Sequence, residues 1–158
     1  MKHYPGVDLS DKNLSKMHAH SRDDLGNADL MLYVEFDPSC AYCSFGGGRA
    51  YIGEICRKGY DWLKQSINLY GYSHALIAES MAHEIGHNLG MYHDFSKIHG
   101  GTNNDQTSTN ACNGQGFMSY GKHLSQWTEC SVKDFTAQYT LMKNDWCMPG
   151  NHNYFTDV

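Results

Sequence analysis

The uninterrupted stretch His83-Glu84-Ile85-Gly86-His87-Asn88-Leu89-Gly90-Met91-Tyr92-His93-Asp94 constrains what this chain can fold into more than any other. On a helix turning by roughly 100° per residue, positions i and i+4 share a face, so His83 and His87 can present two imidazoles to one ion. Glu84 lies beside them. Gly90 suits a left-handed turn at the helix C-terminus, which reverses the chain and lets His93 reach the same point. Three neutral imidazoles leave a tetrahedral zinc one open position for water. A lone His-x3-His pair recurs by chance on non-catalytic helices. Gly90 and His93, both in register, make a coincidence of surface or core histidines a poor account.

The helix that carries these residues has its own signature. Ser73 is a suitable N-cap before His74-Ala75-Leu76, and Ile77, Met81, Ile85 and Leu89 recur at i+4 as a stripe expected to be buried. By the same angular count the stripe points roughly half a turn away from His83 and His87. One face would anchor the helix and the other would bind.

A length of 158 residues sets the scale at one domain. The formal net charge of -5 is spread over the chain without a basic stripe, which argues against nucleic acid as a partner. The sequence has no apolar run of membrane-spanning length, no internal repeat and no apolar signal core at Met1-Lys2-His3-Tyr4-Pro5. Six cysteines favour an oxidising compartment. A secreted or extracellular chain is therefore expected, either stripped of its signal or part of a longer precursor such as an ectodomain.

The first two dozen residues are polar, with a short helix expected around Asp11 to His18. His18 and His20 read as solvated side chains. Asn13-Leu14-Ser15 is a glycosylation sequon, meaningful if the chain is secreted. Ala28 to Phe36 is a nearly continuous apolar run that reads as an interior strand. Cys40-x-x-Cys43 could be a zinc half-site, a redox pair or a small disulfide. With no second close pair and no thioredoxin-like context, a local disulfide is the favoured reading. Gly46-Gly47-Gly48 leads into Arg49-Ala50-Tyr51-Ile52-Gly53-Glu54-Ile55-Cys56, a short β-prone segment flanked by glycines, either an ordinary exposed edge or an edge strand that receives a peptide. Ser66 to Tyr70 reads as one more strand, and Ile98 to Gly116 as a long loop. Gly116-Phe117-Met118-Ser119-Tyr120-Gly121 is a tight turn carrying a methionine, where a zinc enzyme would place the floor of its site. Ser131 to Asp134 resembles a capping box opening a C-terminal helix, with Val132, Phe135, Tyr139 and Met142 at helical spacing.

Taken together, Ala28 to Cys147, about three quarters of the chain, resembles the catalytic domain of a metzincin. The likeness is greatest to the reprolysins, the snake-venom metalloproteinases and ADAM proteins. It rests on the long histidine motif, on Asp94 after the third histidine, and on Met118 as the Met-turn. The resemblance implies an α/β (α+β) fold: a zincin-like domain with a mixed twisted sheet, an antiparallel edge strand, an active-site helix and a C-terminal helix. Residues 1–158 would form one catalytic domain, expected to lack the family's first strands and helices.

The resemblance further implies a zinc-dependent endopeptidase acting on proteins or peptides. One catalytic zinc would sit on His83, His87 and His93, with Glu84 as general base and then acid toward a zinc-bound water. Substrate would lie antiparallel along Gly48, Arg49, Ala50, Tyr51 and Ile52. Cys56 would pair with Cys147 and Cys112 with Cys130, leaving Cys40 with Cys43. The rival class is a catalytically incompetent, zinc-stabilised interaction module, against which the intact Glu84 argues. Two features depart from the reprolysin pattern. Met118-Ser119-Tyr120 resembles the astacin and serralysin Met-turn, so Tyr120 could serve as a fifth ligand or oxyanion donor, whereas the reprolysin likeness favours its lining the pocket or packing away. The acidic and asparagine ligands of a C-terminal calcium site have no match, and calcium is not expected.

Overall fold

The computed structural model describes residues 30–36, 47–56, 65–70, 74–101, 112, 116–120, 125–145 and 147. The readings at Asp11 to His18, His20, Ser73 and the Cys40-x-x-Cys43 pair fall outside these residues. So do the side chains of Leu76 and Ile77.

Strands β1 (Met31–Phe36), β2 (Gly47–Ala50) and β3 (Gln65–Tyr70) form a sheet in the order β1-β3-β2. The sheet is mixed. β1 runs parallel to β3, with Met31 opposite Gln65 and Phe36 opposite Tyr70. β2 runs antiparallel to β3, with Gly47 opposite Leu69 and Ala50 opposite Ser66. Among the described residues β1 is therefore an edge rather than the interior strand its apolar run suggests, and Val34 is exposed. β3 holds the centre.

The peptide-edge segment is shorter as a strand than its sequence implies. β2 ends at Ala50, and Ile52 and Gly53 form a turn. The cause is Gly53, whose φ of 72° is left-handed and sends the chain onto the end of the following helix. There the Gly53 amide donates to the His87 carbonyl at 2.8 Å, and Asn88 Nδ2 donates to the Tyr51 carbonyl at 3.0 Å.

Helix α1 (His74–Asn88) follows β3 and lies against β3 and β2. Its two faces are not divided as the apolar stripe predicts. Met81, Ile85 and Leu89 are half-buried, while His83, Glu84, His87 and Asn88 are buried. The polar face is the more enclosed because later segments close over it: a Cβ on Gly86 would meet Met118 Sδ and the Trp127 ring. A short 3-10 helix, Lys97–His99, opens the segment after the motif.

Helix α2 (Glu129–Met142) begins before the capping box placed at Ser131. Thr128 is the N-cap, accepting from the Ser131 amide at 3.2 Å, and Ser131 is fully buried in the first turn. Thr128 wins because its hydroxyl is also held by Asp94, to which it donates. Two disulfides fasten α2 to the body. Cys112 joins Cys130 in its first turn, with 5.5 Å between Cα atoms, and Cys147 beyond it joins Cys56, with 5.2 Å. Bridges that close long loops lower the entropy of the unfolded chain. Ile55, Cys56, Met91, Phe95, Cys112, Met118 and Cys130 form the buried apolar core of the described residues, and it sits beneath the C-terminal end of α1.

Candidate active site

The site is built where α1 stops. Gly90, at φ 97°, ends the helix in a paired turn: its amide donates to the His87 carbonyl at 2.9 Å, and the Met91 amide reaches back to the Gly86 carbonyl at 2.9 Å. A Cβ at Gly90 would also press on the Gln138 side chain of α2. The turn brings His93 back over the ring face of His83 and His87, with ring centroids 5.1 and 4.7 Å away.

Hydrogen bonds set the tautomers of the two helical histidines. His83 Nδ1 lies 2.6 Å from the Phe117 carbonyl and His87 Nδ1 lies 2.8 Å from the Met91 carbonyl. A carbonyl can only accept, so each Nδ1 carries the proton and each Nε2 presents a lone pair. Those two Nε2 atoms each lie 3.1 Å from His93 Nε2.

The electrostatics hold the rings neutral. Burial lowers the His83 pKa, against the Phe117 carbonyl and Asp94, which both raise it. Burial and then the neighbouring His83 bring His87 to about 4, and burial with both other rings brings His93 to about 3. Three converging neutral nitrogens suit a cation. Tetrahedral zinc with Zn–N of roughly 2.0–2.1 Å separates its nitrogens by roughly 3.3 Å, close to the spacing found.

Asp94 is the fully buried hub behind this cup. Its Oδ2 accepts from the Gly116 amide at 3.1 Å and Ser119 Oγ at 2.8 Å, and its Oδ1 accepts from Thr128 Oγ1 at 2.5 Å. One carboxylate thus ties the motif to the methionine turn and to the cap of α2. Met118, wholly buried, lies under α1 against Gly86, and the Asp94 amide donates to its carbonyl at 3.1 Å.

Glu84 is buried, and the Gly48 backbone passes so close that a Cβ there would collide with the Glu84 carboxyl group. The phenol of Tyr120 reaches the cup: its hydroxyl lies 3.1 Å from His93 Nε2, although the side chain is about half exposed. Burial and the Glu84 charge raise its pKa, keeping it a neutral phenol. Phe95 stacks on His93 with ring centroids 4.7 Å apart and also meets the Tyr120 ring at 5.0 Å. Of the segment from Gly48 to Ile52, Gly48 is brought against Glu84; Arg49 and Ile52 are exposed, and Tyr51 lies at the turn. A second grouping, His99 with Cys112 and Cys130, has both its sulfurs tied up in the disulfide.

Asp134, Thr128 and His99 take part in the surroundings of the site without any signal in sequence spacing. The contacts that place them there are long-range: His99 to Asp134 spans 35 residues, Tyr92 to Asp134 spans 42 and Asp94 to Thr128 spans 34. Thr128 next to Trp127 could have been suspected only as a helix cap.

The sequence model of the metallopeptidase family M12B, reprolysin-like, matches residues 3–94, more than half of the chain, and ends on Asp94. The chain belongs to this family. Among similar proteins, zinc metalloproteinase-disintegrin-like atrase-A of Naja atra is 28% identical over 91% of the chain and 21% of its own length. Snake venom metalloproteinase-disintegrin-like mocarhagin of Naja mossambica is 29% identical over 85% of the chain and 19% of its length. Zinc metalloproteinase-disintegrin-like atragin of Naja atra is 30% identical over 90% of the chain and 22% of its length. The reprolysin-like chain thus spans about a fifth of the length of these relatives. Membership carries the metzincin fold and zinc as the family's metal, and His83, His87 and His93 form a group able to bind it. Among the described residues of this reprolysin-like chain, no helix is long and apolar enough to cross a membrane.

Proposed function

We propose that this chain is the catalytic domain of an extracellular zinc endopeptidase that hydrolyses peptide bonds in proteins. The observation that carries the proposal is the cup itself: two imidazoles locked by carbonyls at Nδ1, and a third whose Nε2 stands 3.1 Å from both of theirs. His83, His87 and His93 would hold the zinc, which when bound would supply a Lewis acid to polarise the scissile carbonyl and to bring the pKa of a water towards about 7.

Glu84 is the proton carrier. Next to His83 in the helix and enclosed by the Gly48 backbone, it takes the proton of the attacking water and returns it to the leaving amine. Substrate lies along the side of β2 turned away from β3, in main-chain pairing, with Gly48 leaving room for the carboxylate below. Tyr120, as a neutral phenol beside His93, donates a hydrogen bond to the oxyanion as it forms. Snake-venom relatives and the disulfides support an extracellular setting.

Casein hydrolysis by the full chain tests the proposal. Zinc chelation abolishes cleavage, and Glu84→Ala keeps the zinc while losing about 10²–10⁴-fold in rate, the range for a lost acid-base group. Cleavage at the parent's rate after either treatment would end the assignment.

A further inference from the structure

His83 and His87 are oriented twice, by the helix and by their Nδ1 bonds. His93 has left the helix, and its direction depends on the backbone of the loop that carries it. That backbone is gripped from a distance. Asp134 of α2 accepts from the Tyr92 amide at 2.9 Å through Oδ2, and the same carboxylate meets His99 Nε2 at 3.1 Å through Oδ1 and 3.0 Å through Oδ2. His99 Nδ1 then faces the His93 carbonyl at 3.0 Å. The two side chains together bracket residues 92 and 93, one at the amide side and one at the carbonyl side. Both are largely enclosed, with side-chain exposures of 8% for His99 and 12% for Asp134.

The grip is anchored in the rigid part of the molecule. Four residues on and on the same face of α2, Gln138 Nε2 donates to the Gly53 carbonyl at 2.8 Å, in the turn whose amide holds the His87 carbonyl. The first turn of α2 is fixed in addition by the Cys112–Cys130 bridge. One helix face therefore braces both the loop of the third imidazole and the end of the helix bearing the other two.

We propose that Asp134 and His99 are positioning residues that hold His93 in reach of the metal. The proposal rests on the zinc reading of the three-histidine cup. A pair of this kind touches neither metal nor substrate; it acts by limiting how far the loop can swing. The energy of ordering His93 is then met on folding rather than on metal binding, and affinity rises accordingly.

The test uses the full chain and its Asp134→Ala, Asp134→Asn and His99→Gln variants, each checked for native circular dichroism. Zinc affinity is read by competition with a chromophoric chelator, and geometry by the visible absorption of the cobalt-substituted protein. Asp134→Ala and His99→Gln should bind zinc roughly 10–100-fold more weakly, the usual effect of removing an outer partner of a metal ligand, with an altered cobalt spectrum. Asp134→Asn, which keeps one acceptor oxygen, should fall between them and the parent. Should Asp134→Ala not fold, the other two variants decide. Folded variants with the parent's zinc affinity and cobalt spectrum would overturn the proposal, whereas a parent chain that binds no zinc would overturn the reading of the cup itself.

Discussion

His93 is where the chemistry of single residues concentrates, because its Nε2 is the meeting point of two imidazoles and one phenol. On sequence grounds Tyr120 could be a fifth ligand or oxyanion donor, with the reprolysin likeness favouring a pocket-lining or outward-packed side chain; in the fold its hydroxyl lies 3.1 Å from His93 Nε2. If the phenol donates to the oxyanion, Tyr120→Phe should lower kcat by about 10²-fold with KM little changed, since the bond strengthens only at the barrier. Steady-state kinetics on a peptide substrate decide this, and an unchanged kcat removes Tyr120 from the mechanism. The convergence of His83, His87 and His93 is legible in sequence because helical periodicity and a glycine turn are local rules. The work of Asp94 was not. Its acceptors reach Gly116, Ser119 and Thr128, partners 22, 25 and 34 residues away, and no spacing rule encodes a contact made only by tertiary folding.

Among the elements, β2 meets α1 at close range where the Gly48 backbone passes the Glu84 carboxyl group. The glycine is needed for close approach there. Gly48→Ala should displace Glu84 and lower kcat while leaving zinc content at the level of the parent, because His83, His87 and His93 are untouched. Metal analysis beside kinetics checks it; full activity in the alanine variant would mean that the strand does not press on the base. Sequence pattern identified β2 as a glycine-rich edge but extended it through Ile52, since alternation cannot foresee that Gly53 bends the chain onto α1. For α2, periodicity gave the helix and misplaced its start. Thr128 and Ser131 are both residue types suited to capping, and the long-range bond from Thr128 to Asp94 goes with Thr128 being the cap.

For the whole molecule, the depressed histidines make stability depend on pH. In the unfolded chain they titrate near their usual value of about 6.5, whereas in the fold His87 titrates at about 4 and His93 at about 3, with His83 also lowered. Between these limits the unfolded chain binds more protons, so stability is fully present above about pH 6.5 and is lost as pH falls towards 3. The urea midpoint of the metal-free chain should therefore be lower at pH 4.5 than at pH 7.5, and this slope should shrink in a His87→Ala variant. A midpoint that holds or rises at pH 4.5 would show that burial does not keep these rings neutral. The most direct measurement of the central claim is zinc K-edge X-ray absorption on the zinc-loaded chain. The cup predicts one zinc per chain with three imidazole nitrogens at roughly 2.0–2.1 Å; sulfur neighbours at roughly 2.3 Å, or no stoichiometric zinc, would contradict it.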